Sequence, residues 1–150
     1  MPQSLASVPI HLVFSTKHRE PLITDPVRES LHRYMATVLS NLGCRARLIN
    51  SVEDHIHVLF DLSRTVTIAG SVEEAKKSSS KWLKTQDVSL SDFAWQAGYG
   101  AFGVGESNLD SARAYIANQR EHHRRVSFQD EYRAFLKRAG LEFDERYGWD

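Results

Sequence analysis

Residues 55–62 read His-Ile-His-Val-Leu-Phe-Asp-Leu. On a β-strand, side chains two apart share a face. Ile56, Val58 and Phe60 therefore point one way, and His55, His57 and Leu59 the other. This predicts a strand that buries one apolar face and carries two imidazoles on its back. Neutral imidazole binds first-row divalent metals well, and spacing of two on a strand fixes two ligand directions without a loop. The plain alternative is a histidine pair on a half-exposed strand face. A histidine-triad hydrolase would carry another histidine at the next alternate position, which here is Leu59.

Working upstream, Glu53-Asp54 makes a tight turn and Cys44 to Val52 reads as a strand. Before it, Asp25-Pro26 marks a helix start, since aspartate caps and proline suits the first helical position. Val27, Leu31, Tyr34, Val38 and Leu42 follow at helical spacing, and Gly43 ends the helix. Ile10 to Thr16 is apolar and β-rich, and Lys17 to Pro21 is a charged turn.

Downstream, Thr65 to Ala69 reads as loop, and Ser71 to Thr85 as a helix with Ser71 as cap and Glu74 as its capping-box partner. A further strand lies around Tyr99 to Val104. Ser107 caps a third helix reaching about His123, with Asp110 in its first turn. Phe128 to Arg138 forms a fourth helix, closed by Gly140. The order β-α-β-β-α-β predicts an α+β, ferredoxin-like antiparallel sheet, with helices on one face and an extra C-terminal helix. Residues 1–150 read as a single domain. Gly98-Tyr99-Gly100-Ala101-Phe102-Gly103 spells a dinucleotide fingerprint, but these glycines fall in the last strand and the next helix starts only after Ser107. Close backbone packing or a bulge is the better account.

No apolar run approaches the ~20 residues of a membrane span, and residues 1–9 have no secretory pattern, so the expected place is the cytoplasm. Cys44 is the only cysteine, which excludes an intramolecular disulfide and reads as a small buried hydrophobe. Formal net charge is zero, which weighs against nucleic-acid binding. The charge is uneven, however. Residues 111–138 carry seven Lys or Arg against Glu121, Asp130 and Glu131, while the tail holds Glu142, Asp144, Glu145 and Asp150 against Arg146.

Tyr115 and Gln119 stand one helical turn apart and can approach a common point. Lys77, Lys81 and Lys84 form a cationic stripe near Trp82, suited to phosphates and base stacking, or equally to a solvated helix face with Trp82 in the core. His122, His123, Arg124 and Arg125 lie just past Gln119, where they either contact phosphate or complement a helix dipole.

The ordered set resembles the HUH single-tyrosine transposases of the insertion sequence 200/605 type. It comprises His11 to Arg19 (HLVFSTKHR), Glu53 to Leu59 (EDHIHVL), Ala75 to Leu83 (AKKSSSKWL), Gly98 to Gly105, and Tyr115-x-x-x-Gln119. The resemblance covers nearly the whole chain. It implies that His55, His57 and Gln119 hold one divalent ion, Mg²⁺ or Mn²⁺, and that Tyr115 attacks a phosphodiester to give a covalent phosphotyrosine. It further implies a single-stranded DNA substrate such as element ends or hairpins, and a homodimer whose sites draw on both chains; strand one or the glycine-rich strand could supply the joining edge. Two other readings are a domesticated nuclease that processes DNA repeats, and a non-catalytic nucleic-acid-binding module on the same fold. The latter is disfavoured, because strand three offers histidines where an RNA-recognition sheet shows aromatic platforms.

Overall fold

The computed structural model describes residues 3–145, so Arg146 and Asp150 of the tail lie outside the described residues. β1 (Pro9–Ser15) runs between β3 (His55–Asp61) and β4 (Gly100–Gly103), with β2 (Arg45–Ser51) outside β3. Every neighbouring pair is antiparallel. This is the predicted βαββαβ sheet. β1 is internal, which corrects the expectation that strand one could serve as a joining edge; β2 and β4 are the edges.

The alternation read in β3 is met by β1. Leu12 lies opposite Val58 and Phe14 opposite Ile56, while Val13 lies opposite His57. The Leu12/Phe14 face is apolar. α1 (Asp25–Asn41) and α2 (Ile68–Leu83) close over it, burying Leu31, Met35, Leu39, Val72, Ala75 and Leu83 against Leu12, Phe14, Val58 and Phe60. These two crossover helices lie on one face, as expected. The remaining helices, α3 (Leu109–Ala117), α4 (Gln119–His122) and α5 (Phe128–Arg138), add cover to the opposite face. There Leu59 packs with Leu109 and Ile116, and Val13 with Phe128, Tyr132 and Leu136. Val13 and Leu59 are apolar residues on the histidine face, and burying them requires that second layer.

Two boundaries differ from the sequence reading. α2 starts at Ile68, three residues before Ser71, because the Thr67 hydroxyl accepts from the Gly70 N–H and caps it there. Ser71 donates back to the Thr67 carbonyl, and Glu74 accepts from Ser78 instead of serving a capping box. The predicted helix from Ser107 to His123 is interrupted. Residues 106–108 form a short 3₁₀ turn, and the chain leaves helical geometry at Asn118 (φ −96°, ψ 20°). The cause is Asn50 of β2, whose amide donates to the Ile116 carbonyl at 2.8 Å and the Ala117 carbonyl at 3.4 Å. Those carbonyls would otherwise accept the N–H groups four residues on.

Gly100 is where the sheet meets α5. A Cβ there would lie 2.6 Å from the Tyr132 ring and 3.0 Å from Phe102. Close packing therefore accounts for Gly100, whereas a Cβ at Gly103 would meet nothing within 4 Å. Gly100→Val should lower unfolding free energy by about 1–3 kcal/mol through overpacking, read as a lower midpoint at constant slope in urea denaturation.

His32 of α1 pairs with the Ser51 hydroxyl at 2.7 Å. Burial, helped by Arg28, lowers its pKa to about 4. Since the folded pKa lies below the unfolded value, its stabilising contribution is complete above about pH 6.5 and is lost as pH falls towards about 4. Allowing for its partial exposure, the loss is about 1–2 kcal/mol. His32→Gln should therefore lose less stability than the parent chain between about pH 7 and 4.5, measured by denaturation at each pH.

Candidate metal and tyrosine site

His55 and His57 are fully buried, 1% and 0% exposed, where the sequence allowed a half-exposed face. The covering layer is α4, α5 and the turn between them: Phe128 packs on the His55 ring at 4.7 Å between centroids. Each imidazole is held from behind. His55 Nδ1 donates to Asp54 at 2.7 Å, His57 Nδ1 lies 2.8 Å from His11 Nε2, and His123 Nδ1 donates to the Val126 carbonyl at 2.7 Å. The opposite nitrogens converge. His55 Nε2 lies 2.9 Å from His123 Nε2, and His57 Nε2 lies 3.0 Å from Glu131 Oε1. Donor atoms of His55, His57, His123 and Glu131 all lie within 4.8 Å of one another.

Tyr115, on α3, reaches the same point. Its hydroxyl donates to Glu131 Oε2 and lies 3.2 Å from His122 Nε2. Its ring is 6.0 Å from that of His57 and 6.3 Å from that of His11. One chain thus places its own tyrosine beside its own histidines. Gln119 is fully buried after the Asn118 break. Its Nε2 donates to the Tyr115 carbonyl at 3.2 Å, while its Oε1 is buried with no hydrogen-bond partner among the described residues. A buried carbonyl oxygen without a donor costs free energy, and a cation would satisfy it.

The electrostatics follow from crowding. Burial alone would raise the Glu131 carboxyl, but hydrogen bonds from His123, His57 and Tyr115 hold it far below the usual carboxylate range. Burial lowers His57 to about 4 and His11 to about 3. Burial, reinforced by Glu131, pushes the Tyr115 phenol well above its ordinary value. His123 moves the other way: burial would lower it, but its bond to Glu131, the charges of Glu131 and Asp54 and the Val126 carbonyl together raise it. The centre is a buried carboxylate among imidazoles, with a protonated phenol against it.

Two grooves flank this centre. One, of about 600 Å³, is lined by Phe102, Phe135 and Arg138 and opens on Tyr115. The other, of about 630 Å³, is lined by Arg19, Arg120, Arg124 and His123. Arg120 and Arg124 are exposed, ion-paired to Asp25 and Glu121 at 3.1 Å each. His122, His123 and Arg124 therefore lie at or beside the centre, and Arg125 is exposed next to them. Lys77, Lys81 and Lys84 do not join them: they are exposed on α2 and at its C-cap, and the core residues of α2 pack on the other face of the sheet. Trp82 is partly buried, stacked on Tyr34 of α1 with centroids 5.0 Å apart. Lys76 turns inward and donates to the carbonyls of Gln96 and Gly98 at 2.8 and 2.6 Å.

Sequence reasoning missed Glu131, His11, Asp54 and Asn50 as parts of this centre. Glu131 had a signal. It shares the buried stripe of α5 with Phe128, Tyr132 and Leu136, and a glutamate on an apolar stripe needs a partner. His11 alternates with Leu12 on β1 and faces the same side as Val13 and His57. Asn50 had none, because its target is 66 residues away.

Known proteins agree with this architecture. A solved structure of a candidate transposase from Deinococcus radiodurans R1 is similar, with TM-score 0.62 at 20% identity, covering 79% of this chain and 98% of that one. A REP-associated tyrosine transposase bound to a REP hairpin is also similar, with TM-score 0.62 at 13% identity, covering 84% of this chain and 74% of that one. No curated protein matches the sequence. The family model described as "Transposase IS200 like" matches residues 4–119. That span holds the sheet, both β3 histidines, Tyr115 and Gln119, and by it the chain belongs to the IS200-like transposase family.

Proposed function

We propose that this chain cuts and rejoins single-stranded DNA through a covalent 5′-phosphotyrosine at Tyr115, with one divalent ion held by His55, His57 and Gln119. The observation that carries this reading is the meeting, within one chain, of the Tyr115 hydroxyl with the two β3 histidines across Glu131. The buried, unpartnered Gln119 Oε1 fits a third ligand. Bound there, a divalent ion polarises a phosphoryl oxygen and stabilises the leaving oxygen.

The chain's own groups do the rest. The Phe102–Phe135 wall gives a base a stacking surface, and Arg138 meets phosphate at the mouth of the same groove. Arg19, Arg120 and Arg124 supply positive charge beyond the centre. The strand would then run from one groove to the other past Tyr115. Glu131 Oε2 already accepts the phenolic hydrogen bond and orients the hydroxyl. Attack forms the tyrosyl O–P bond and breaks the P–O3′ bond. The freed 3′-hydroxyl can later reverse the exchange on another end, so rejoining needs no ATP.

Likeness to a hairpin-bound REP-associated transposase supports hairpin DNA as the recognised form, and keeps repeat processing open as the second reading. The unpaired outer side of β4 is the edge through which two chains would join as a homodimer. No helix among the described residues is long and apolar enough to cross a membrane, and a DNA substrate would place the protein in the cytoplasm.

Incubation with single-stranded oligonucleotides from the DNA flanking its gene, with Mn²⁺ or EDTA, should give a metal-dependent protein–DNA band on a denaturing gel. Tyr115→Phe should abolish that band and retain DNA binding; an unchanged band removes Tyr115 from the mechanism. A binding-only module would give no band in either chain.

Charge reversal should map the DNA path. Arg120→Glu with Arg124→Glu should weaken oligonucleotide binding at least tenfold and flatten its salt dependence. The triple change Lys77→Glu, Lys81→Glu, Lys84→Glu should have the smaller effect. The reverse ranking, by fluorescence anisotropy, would move the path to the α2 face.

A further inference from the structure

We infer that the groove beside Tyr115 is a reading pocket for one unpaired purine, the base of the nucleotide whose 5′-phosphate Tyr115 takes, with Asn108 and Ser111 as the residues that select it. This deepens the proposed function and rests on it for the direction of the strand.

One wall of the groove is a face of α3. Asn108, Ser111, Ala112 and Tyr115 all line the same cavity of about 600 Å³. Steps of three, four and seven residues from the first place them on one helical stripe. The nucleophile ends that stripe and two hydrogen-bonding side chains begin it. Ser111 precedes Tyr115 by about 6 Å along the helix axis, within reach of a base whose phosphate sits at the phenol. Asn108 stands at the N-cap of α3, where an asparagine ordinarily accepts from a backbone N–H, yet its side chain makes no capping bond. Its amide instead offers the groove a donor beside an acceptor.

The opposite wall is aromatic. Phe102 of β4 and Phe135 of α5 are half-buried and nearly parallel, 23° apart with centroids separated by 5.1 Å. His11 and Tyr115 meet Phe135 edge-on at 5.0 and 5.7 Å, which braces the ring beside the nucleophile. Half-buried rings along a cavity make a stacking platform for an unpaired base, and the larger purine ring system gains more from it.

The charge suits a single nucleotide. Among the described residues, Arg138 is the one Lys, Arg, Asp or Glu along this groove, so no acid opposes a phosphate there. Its guanidinium carbon lies 5.4 Å from the centre of the Phe135 ring. A base on that wall and a phosphate on that guanidinium are therefore neighbours.

The polar pair adds a choice among bases. Adenine shows a donor beside an acceptor on its N6/N7 edge, which an asparagine amide answers at once, whereas the matching edge of thymine shows one acceptor and a methyl group. Adenine should therefore lead. The direction follows from the displacement. In-line attack expels the 3′-oxygen on the side of phosphorus away from the phenol. The released end departs from Tyr115, and the nucleotide retained on the tyrosine is the one that the α3 stripe meets.

The test needs no cleavage. Oligothymidines of one length, 5′-phosphorylated and labelled at the 3′ end, carry A, G, C or T as the first base and are bound to the full chain in EDTA, followed by fluorescence anisotropy. The A-first strand should bind about fivefold or more tighter than the T-first strand, with G next. Asn108→Ala and Ser111→Ala should each bring the A-to-T ratio below about twofold while leaving T-first binding as in the parent. Phe135→Ala, shown to be folded by circular dichroism, should weaken both purine strands about threefold or more. Placing the varied base at the 3′ end, with the label moved to the 5′ end, should erase the preference. Equal affinity for all four first bases, a preference that survives the double change of Asn108 and Ser111 to alanine, or a preference seen only at the 3′ end would each overturn the inference. Base preference without any Tyr115–DNA adduct strikes the proposed function and leaves this pocket standing; an adduct without base preference strikes this inference alone.

Discussion

A carboxylate taken out of water has to be met by donors, or folding fails. Glu131 is 3% exposed, and its two oxygens are met by His57, His123, His122 and Tyr115. Desolvating such a group costs several kcal/mol unless its partners are well placed. Those partners come from β3, α3 and α4, while Glu131 itself stands on α5. One buried charge therefore fixes four elements relative to one another. Gly100 leaves room for Tyr132, and Ser127 caps α5 by accepting from the Asp130 N–H. Both place α5 where the glutamate reaches its donors.

The sheet separates stability from chemistry by its two faces. Along β1, Ile10, Leu12 and Phe14 enter the main core, and along β3 so do Ile56, Val58 and Phe60. That face is apolar, and α1 and α2 pack on it, across the sheet from the histidines. The intervening positions, His11, His55 and His57, share the other face with Val13 and Leu59. Apolar cover over these last two excludes water from the histidines, so the hydrophobic layer also lowers the dielectric around the charged centre.

The strand alternation was fully legible in the sequence, because a period of two with histidines at fixed parity admits one arrangement. The βαββαβ order was legible for the same reason: each element carried its own cap or turn signal. The start of α2 was misplaced because Thr67 and Ser71 are both good caps, and only the packing of Ile68 and Val72 on the core decides between them. The Asn118 break was illegible, since it depends on an amide from β2 capturing helix carbonyls. For the site, spacing brought out His55 with His57 and Tyr115 with Gln119 as two separate pairs, and the family resemblance joined them. His123, singled out for phosphate, lines the arginine groove and also stands at the centre. Glu131 and His11 become partners only when three segments meet, and no local period encodes that.

This division has a consequence for how the family's chemistry is built. The matched span ends at Gln119, yet the residues that bury the histidines and hold the phenol, His122 to Glu131, follow it. The strand pair and α3 bring the Tyr115 phenol near two imidazoles. What surrounds them is set by a later segment that contacts the sheet through Phe128, Tyr132 and Leu136. Changing those few residues would alter the charge, dryness and donor set around Tyr115 without disturbing the sheet. The tyrosine shows the effect directly: burial, reinforced by the carboxylate, disfavours the Tyr115 anion, so the glutamate that takes the phenolic hydrogen bond also restrains its ionisation. In the proposed chemistry, positive charge brought to the centre would relieve that restraint and would tie the tyrosine's reactivity to what occupies the histidine cluster.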